Sequence, residues 1–191
     1  RGLSSLPIVL AWALWTAGPM ALLRVRWPLH LLRGVLGIAM MASFVYALKR
    51  LPLSTAYSIF FVAPLLITAL SVPILGEHVG PRRWTAIGIG LLGVLVVLRP
   101  TGEGVLSMAG LAVLVAAAGY AVSAITVRVI ARTDSTQAIT FWLLALMALG
   151  AGVVALPDWV PLRAEDAWII GGIGIGGALG QYTITEAFRL G

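Results

Sequence analysis

Predominantly apolar runs of about 20 residues recur seven times along the chain, at 5–23, 31–48, 53–75, 81–98, 105–127, 136–156 and 167–188. An α-helix of that length rises about 30 Å, the thickness of a bilayer's hydrocarbon core. None of the runs alternates polar and apolar residues as a barrel strand must, and a lipid-facing backbone has to satisfy its own hydrogen bonds, so each run predicts a helix. The pattern predicts an all-α membrane protein with seven visible transmembrane helices. The fourth run is the shortest, because its apolar part covers only Trp84 to Leu98 and needs Pro81, Arg82 and Arg83 as an interfacial first turn. Pro81 suits the first helical position, where its missing N–H costs nothing.

Composition supports this reading. Hydrophobic residues make up 60% of the 191 and charged residues 10%, against roughly 25% charged in a soluble domain. The excess of 13 Lys and Arg over 7 Asp and Glu does not indicate nucleic acid, because the basic residues cluster between apolar runs, where they set membrane orientation. With Arg24, Arg26 and Arg33 cytoplasmic, alternation puts Arg82, Arg83, Arg128, Arg132 and Arg189 on the same side. Arg1, Lys49, Arg50, Arg99 and Arg163 fall outside with Glu103, Asp158, Glu165 and Asp166. Trp27, Trp84, Trp159 and Trp168 mark span ends, where an indole prefers the interface. The absence of Cys excludes disulfides, thiolate metal sites and a catalytic thiol. His30 and His78 are expected in loops, His78 solvated. A first residue that is Arg1 and an end at Gly191, directly after an apolar run, suggest a fragment of a longer chain.

One internal echo stands out. Arg33 to Leu51 resembles Ile173 to Gly191 at an offset of 140 residues, matching Gly34 to Gly174, Gly37 to Gly177, Ala47 to Ala187 and Lys49 to Arg189. The matched spans are five crossings apart, so they run in opposite directions and the repeat is inverted. Secondary transporters are commonly built this way, with the substrate site between the halves.

The stretch from Tyr46 to Pro100 adds recognisable motifs: LPLSTAYSI at a span entrance, Pro64 within the next span, Gly76 and Glu77 at its end, basic Arg82 and Arg83, and a Gly-rich span ending near Arg99. Together they resemble the closing half of an EamA-type repeat of the drug/metabolite transporter superfamily, with a second copy starting at Gly104 and running out at EAFRLG. The first half is similar to the branch that includes riboflavin and S-adenosylmethionine carriers. The resemblance implies a ten-helix bundle of two inverted five-helix repeats. Residues 1–100 would be the first repeat without its first helix, and 101–191 the second without its last two. It further implies a multi-pass protein of the bacterial inner membrane that moves a small organic metabolite or drug-like solute by alternating access. The flanking reading frame should then encode one apolar span upstream and two downstream.

Candidate functional residues are the polar groups inside spans. Glu186 is the only carboxylate within a predicted span. It either binds a proton or cationic substrate, or pairs with Arg189 and reaches the interface. Gln181, Tyr182, Thr183 and Thr185 precede it, and Tyr46 occupies the matched position in the second span. Tyr120, Ser123 and Thr126 follow one another at helical spacing. Such groups line a path or join helices by hydrogen bonds. Pro64 and Pro73 free the carbonyls of Phe60 and Ala69, in a helix opened by Ser54, Thr55, Tyr57 and Ser58. A broken helix is a transporter hallmark, although prolines also kink membrane helices for packing alone. The expected cavity, lined by spans two, three, five and seven, includes Tyr46, Tyr57, Ser58, Tyr120, Ser123, Gln181, Tyr182 and Glu186. Pro64, Gly76 and Glu77 have structural roles, Glu77 favouring the next helix N-terminus or pairing with Arg82 or Arg83.

The strings Gly88, Gly90, Gly93 and Gly172, Gly174, Gly177 follow the dinucleotide pattern, but neither opens a βα turn. Gly172, Gly176 and Gly180 instead predict close helix contact. No catalytic, cofactor or metal motif is present. A seven-span receptor and an intramembrane enzyme are the alternatives. The sole lysine, Lys49, lies at a span exit, unsuited to a buried Schiff base, and Glu186 has no catalytic companion. The partners expected are the lipid bilayer, a small-molecule substrate, protons in coupling and a second copy in a homodimer.

Overall fold

The structure is a computed structural model that describes residues 2–98, 107–155 and 166–190. Arg1, Arg99, Glu103, Asp158, Trp159, Arg163, Glu165, Gly191 and the division at 100/101 lie outside these. The described residues are helical and contain no strand. The helices are α1 (Gly2–Thr16), α2 (Pro19–Leu23), α3 (Trp27–Leu48), α4 (Leu53–Phe60), α5 (Ala63–Leu75), α6 (Pro81–Leu98), α7 (Met108–Ile130), α8 (Thr136–Ala155) and α9 (Ala167–Leu190). Among the described residues, four stretches are long and apolar enough to cross a membrane: Trp27–Leu48, Leu53–Leu75, Met108–Ile130 and Thr136–Val153.

Local chemistry sets the helix boundaries. The first expected span is not one helix, because Gly18 takes a left-handed φ of 76° and Pro19 starts α2 at a position that needs no N–H. The third breaks at Phe61 and Val62, one turn before Pro64, whose ring and absent N–H do not permit a bond to Phe60. Pro73 lies inside α5, which ends at Gly76 with φ 69°, its N–H on the Val72 carbonyl at 3.1 Å. Ser107 and Ser135 cap α7 and α8, their Oγ atoms accepting the Gly110 and Ala138 N–H groups at 3.0 and 3.3 Å.

The chain forms two units, Arg1–Ile38 with Thr126–Gly191, and Ala39–Ile125. In the first, α1 packs on α8 and α9, and α2 on α8. Val9, Leu144 and Ala178 form one core cluster, and Ala13, Leu22 and Ala138 another. The Trp142 indole N–H donates to the Leu22 carbonyl at 2.8 Å, satisfying an acceptor at the end of α2. In the second, α4 and α5 pack on α6, and Ala47, Ala56, Ile59, Ala109 and Val113 form the core.

The burial pattern is inverted relative to a protein folded in water. Among the described residues, twelve of the 22 buried apolar side chains are alanine, while Val35, Ile89, Leu92, Val96, Leu149 and Val153 are each more than 60% exposed. Large apolar side chains gain nothing by leaving lipid, so small residues take the helix contacts. At Gly34 and Gly37 of α3, a Cβ would lie 2.8 and 3.1 Å from Leu146 and Met147 of α8, and at Gly150 it would meet Ile38. The expected close contact at Gly172, Gly176 and Gly180 is corrected: nothing lies within 4 Å of a Cβ there. The contact on α9 is Gly174, where a Cβ would stand 2.8 Å from the Ser4 carbonyl oxygen of α1. Ser5 Oγ also donates to the Gly174 carbonyl at 2.8 Å. Sequence density shows that a helix is glycine-rich, but not which of its faces meets a partner.

Gly174→Ala should therefore push α1 off α9 and lower stability in detergent by about 1–3 kcal/mol. Gly172→Ala should lower it by less than about 0.5 kcal/mol, as for a surface change. Thermal unfolding of the two variants checks this, and equal stabilities would contradict the assigned contact face.

Candidate functional site

In the unit Ala39–Ile125, the break between α4 and α5 is surrounded by aromatic rings. Tyr57 meets Phe44 edge-on at 5.6 Å between centroids, Phe44 meets Phe60 at 5.6 Å, and Phe60 lies 5.7 Å from Tyr120. Two of the expected site residues, Tyr57 and Tyr120, are thus linked through Phe44 and Phe60, which sequence reasoning did not select. Tyr57 is 45% exposed. Such a group offers π faces to a planar or cationic solute. Pro64 leaves the Phe60 carbonyl beside these rings without its usual amide partner.

The other candidates in this unit are engaged differently. Ser58 is buried, and its hydroxyl donates to the Ser54 carbonyl at 2.7 Å within its own turn. The Arg50 guanidinium lies 3.8 Å over the Tyr46 ring and donates to the Tyr46 carbonyl at 3.3 Å, so Tyr46 already holds a cation. Ser123 is half-buried on α7, and Thr126 is buried three residues on. Glu77 follows the left-handed Gly76, its N–H 3.4 Å from the Ser71 carbonyl. His78 is exposed, as expected.

In the other unit, Tyr182 meets Trp12 edge-on at 5.0 Å. Both border a cavity of about 310 Å³ between α1 and α9, lined also by Ile8, Val9, Ile175, Ala178 and Leu179. This lining suits an apolar rather than a polar occupant. Gln181 is half-buried, and its carbonyl accepts the Thr185 hydroxyl at 2.7 Å.

Glu186 does not pair directly with Arg189, which corrects that alternative. Thr136 stands between them: its hydroxyl donates to Glu186 Oε2 at 2.8 Å and accepts from Arg189 Nη1 at 2.9 Å. Glu186 is half-buried and Arg189 exposed, so the start of α8 is tied to the end of α9 by a short polar chain.

The same end of α8 receives α3. His30 is not in a loop, because α3 begins at Trp27 and tolerates Pro28 in its first turn. The ring is 1% exposed, with Nε2 2.9 Å from Asp134 Oδ2. Asp134 Oδ2 also accepts the Arg26 N–H at 3.1 Å, and Oδ1 accepts the Thr133 hydroxyl at 2.7 Å. The carboxylate thereby caps the positive end of α3 from more than 100 residues away. Arg33, 2% exposed, donates from Nη1 to the Ile139 carbonyl at 3.2 Å. Burial pushes the Asp134 carboxyl up, but the bonds from Thr133, His30 and Arg26 outweigh it and hold the group below the ordinary carboxylate range. No sequence signal singled out Asp134, since its partners lie in distant segments. Among the described residues no group of His, Asp and Glu is placed to hold a metal ion.

Asp134→Ala should leave the Arg26 N–H and His30 Nε2 buried without an acceptor and destabilise the protein by about 3 kcal/mol. Because the folded Asp134 is more acidic than the unfolded one, its contribution is fully present above about pH 4. It is lost as pH falls through the depressed folded value. Denaturation in detergent across that range should show this acid-dependent loss in the wild type and not in Asp134→Asn; equal pH dependence in both would contradict the assignment.

Residues 1–99 match the EamA-like transporter family. The chain is 26% identical over 186 residues to the pseudopaline exporter CntI of Pseudomonas aeruginosa (strain UCBPP-PA14), covering 97% of this chain and 66% of that protein. It is 30% identical over 172 residues to a riboflavin transporter of Rhizobium johnstonii, covering 88% and 56%. Against an S-adenosylmethionine uptake transporter of Rickettsia prowazekii it is 27% identical over 173 residues, covering 91% and 58%. The chain thus spans between just over half and 66% of the length of these relatives. No solved structure matches it. With more than half its length matched, the chain belongs to the EamA-like transporter family.

Proposed function

We propose that the protein is a multi-pass secondary transporter of the bacterial inner membrane that moves a small organic metabolite by alternating access. The observation that carries this is the match to the EamA-like transporter family together with relatives named for pseudopaline export, riboflavin transport and S-adenosylmethionine uptake. An inverted pattern of large residues facing outward and alanines inward supports placement in lipid.

In this reading α1 with α2, α3, α4 with α5, α6, α7, α8 and α9 are seven crossings of a ten-helix bundle. The bundle consists of two inverted repeats, 1–100 and 101–191. Gly34 and Gly174, matched in the repeat, are both sites of close helix approach, which favours that alignment. We assign solute contact to the aromatic group at the α4–α5 break, with Tyr57 and Tyr120 as its polar members. Glu186 is assigned to proton exchange, since its carboxylate is half-buried and bonded through Thr136 to an exposed arginine side chain.

The full-length protein reconstituted in proteoliposomes should carry at least one member of a labelled metabolite panel above protein-free vesicles. Glu186→Gln should abolish pH-gradient-driven accumulation while leaving solute exchange at equal pH intact. Absence of flux across the panel would contradict transport, and unchanged coupling in Glu186→Gln would reject the role of that carboxylate.

A further inference from the structure

Asp134 and His30 form a closed polar joint between the start of α3 and the turn that leads into α8. The carboxylate, 6% exposed, is an acceptor only, so the hydrogen in the 2.9 Å contact belongs to His30 Nε2. His30 Nδ1 is buried and has no hydrogen-bond partner among the described residues. In the closed joint the ring therefore carries one proton, on Nε2, and presents a bare lone pair at Nδ1. A second proton at Nδ1 would be a buried donor with no acceptor, on a ring one turn from the buried Arg33 guanidinium. Attraction to Asp134 holds the Nε2 contact but does nothing for Nδ1. The doubly protonated ring requires water or a new acceptor, and either requires the joint to open.

The elements packed around the joint define the charges it feels. Leu29, next to His30, packs against the cluster of Val127 and Ile130 of α7 and Ile139 of α8, as does Phe188 of α9. At the end of these elements where the joint lies, the charged groups are Arg24, Arg26, Arg33, Arg128, Arg132, Asp134, Glu186 and Arg189. Arginines dominate this set, and Asp134 is the carboxylate in contact with the ring.

We propose that His30 and Asp134 form a proton-binding latch: with one proton on the ring it holds the start of α3 against the α7–α8 turn, and uptake of a second opens the joint to water. The proposal stands apart from the transport reading, because proton binding here is read on the protein itself and needs no solute.

Hydrogen–deuterium exchange of the full-length protein in nanodiscs provides the test. The Arg26 N–H is held by Asp134 Oδ2 alone in this joint, so exchange of the peptide covering residues 24–30, divided by the intrinsic rate at each pH, reports opening. It should be about tenfold faster at about pH 5.5 than at about pH 8, a range that brackets histidine titration. The chain has two histidines, and His78→Gln, which removes the exposed one, should keep the full pH response. His30→Gln should make the response flat, and Asp134→Asn should exchange fast at both pH values. A flat wild-type profile, a response lost in His78→Gln, or a response retained in His30→Gln would each overturn the latch. Should His30→Gln fail to fold, Glu186→Gln, which removes the carboxylate bonded to Thr136 at the same end of α8, should keep the response, and its loss there overturns the proposal.

Discussion

In hydrocarbon, an apolar side chain gains nothing by exchanging lipid for another helix, and a polar one loses its water without compensation. That constraint determines where contact and chemistry occur in this chain. Contacts form where the backbone can come close, so alanine fills the cores and Gly34, Gly37, Gly150 and Gly174 stand at the tightest approaches. Val35, Ile89, Leu92, Val96, Leu149 and Val153 face outward, the reverse of the arrangement water would select.

Polar groups obey the same constraint by meeting one another. In the unit that contains the chain ends, the start of α8 is the meeting point. Asp134 takes α3 through Arg26 and His30, Ile139 takes Arg33, and Thr136 takes Glu186 and Arg189 of α9. Within a few residues, three helices are joined by directed bonds rather than by burial of area. In the other unit, Pro64 interrupts the helix and aromatic rings surround the interruption. The first unit thus holds the buried His30–Asp134 pair, and the second the rings around the helix break.

Much of this was readable from the chain because helix length and apolarity are local properties. The run 81–98 coincides with α6, 136–156 with α8 to within a residue, and Pro64 announced the break before α5. The expected loop at His30 failed because the apolar run starts at residue 31, whereas the helix itself begins four residues earlier at Trp27, with Pro28 harmless in its first turn. Asp134 was passed over for a different reason: its value lies in partners 104 and 108 residues away, and no periodicity encodes such a pairing. The glycine face on α9 was misassigned for the same reason, since only the position of Ser4 distinguishes Gly174 from Gly172.

The central claim is that these helices cross a bilayer with the arginine-rich turns on the cytoplasmic side. The absence of native cysteine makes single-cysteine labelling with a membrane-impermeant maleimide the most direct measurement. Lys49→Cys should label only in right-side-out vesicles, Arg132→Cys only in inverted ones, and Val115→Cys, exposed at mid-α7, in neither. Labelling of Lys49→Cys and Arg132→Cys from the same side, or of Val115→Cys from either, would contradict the account.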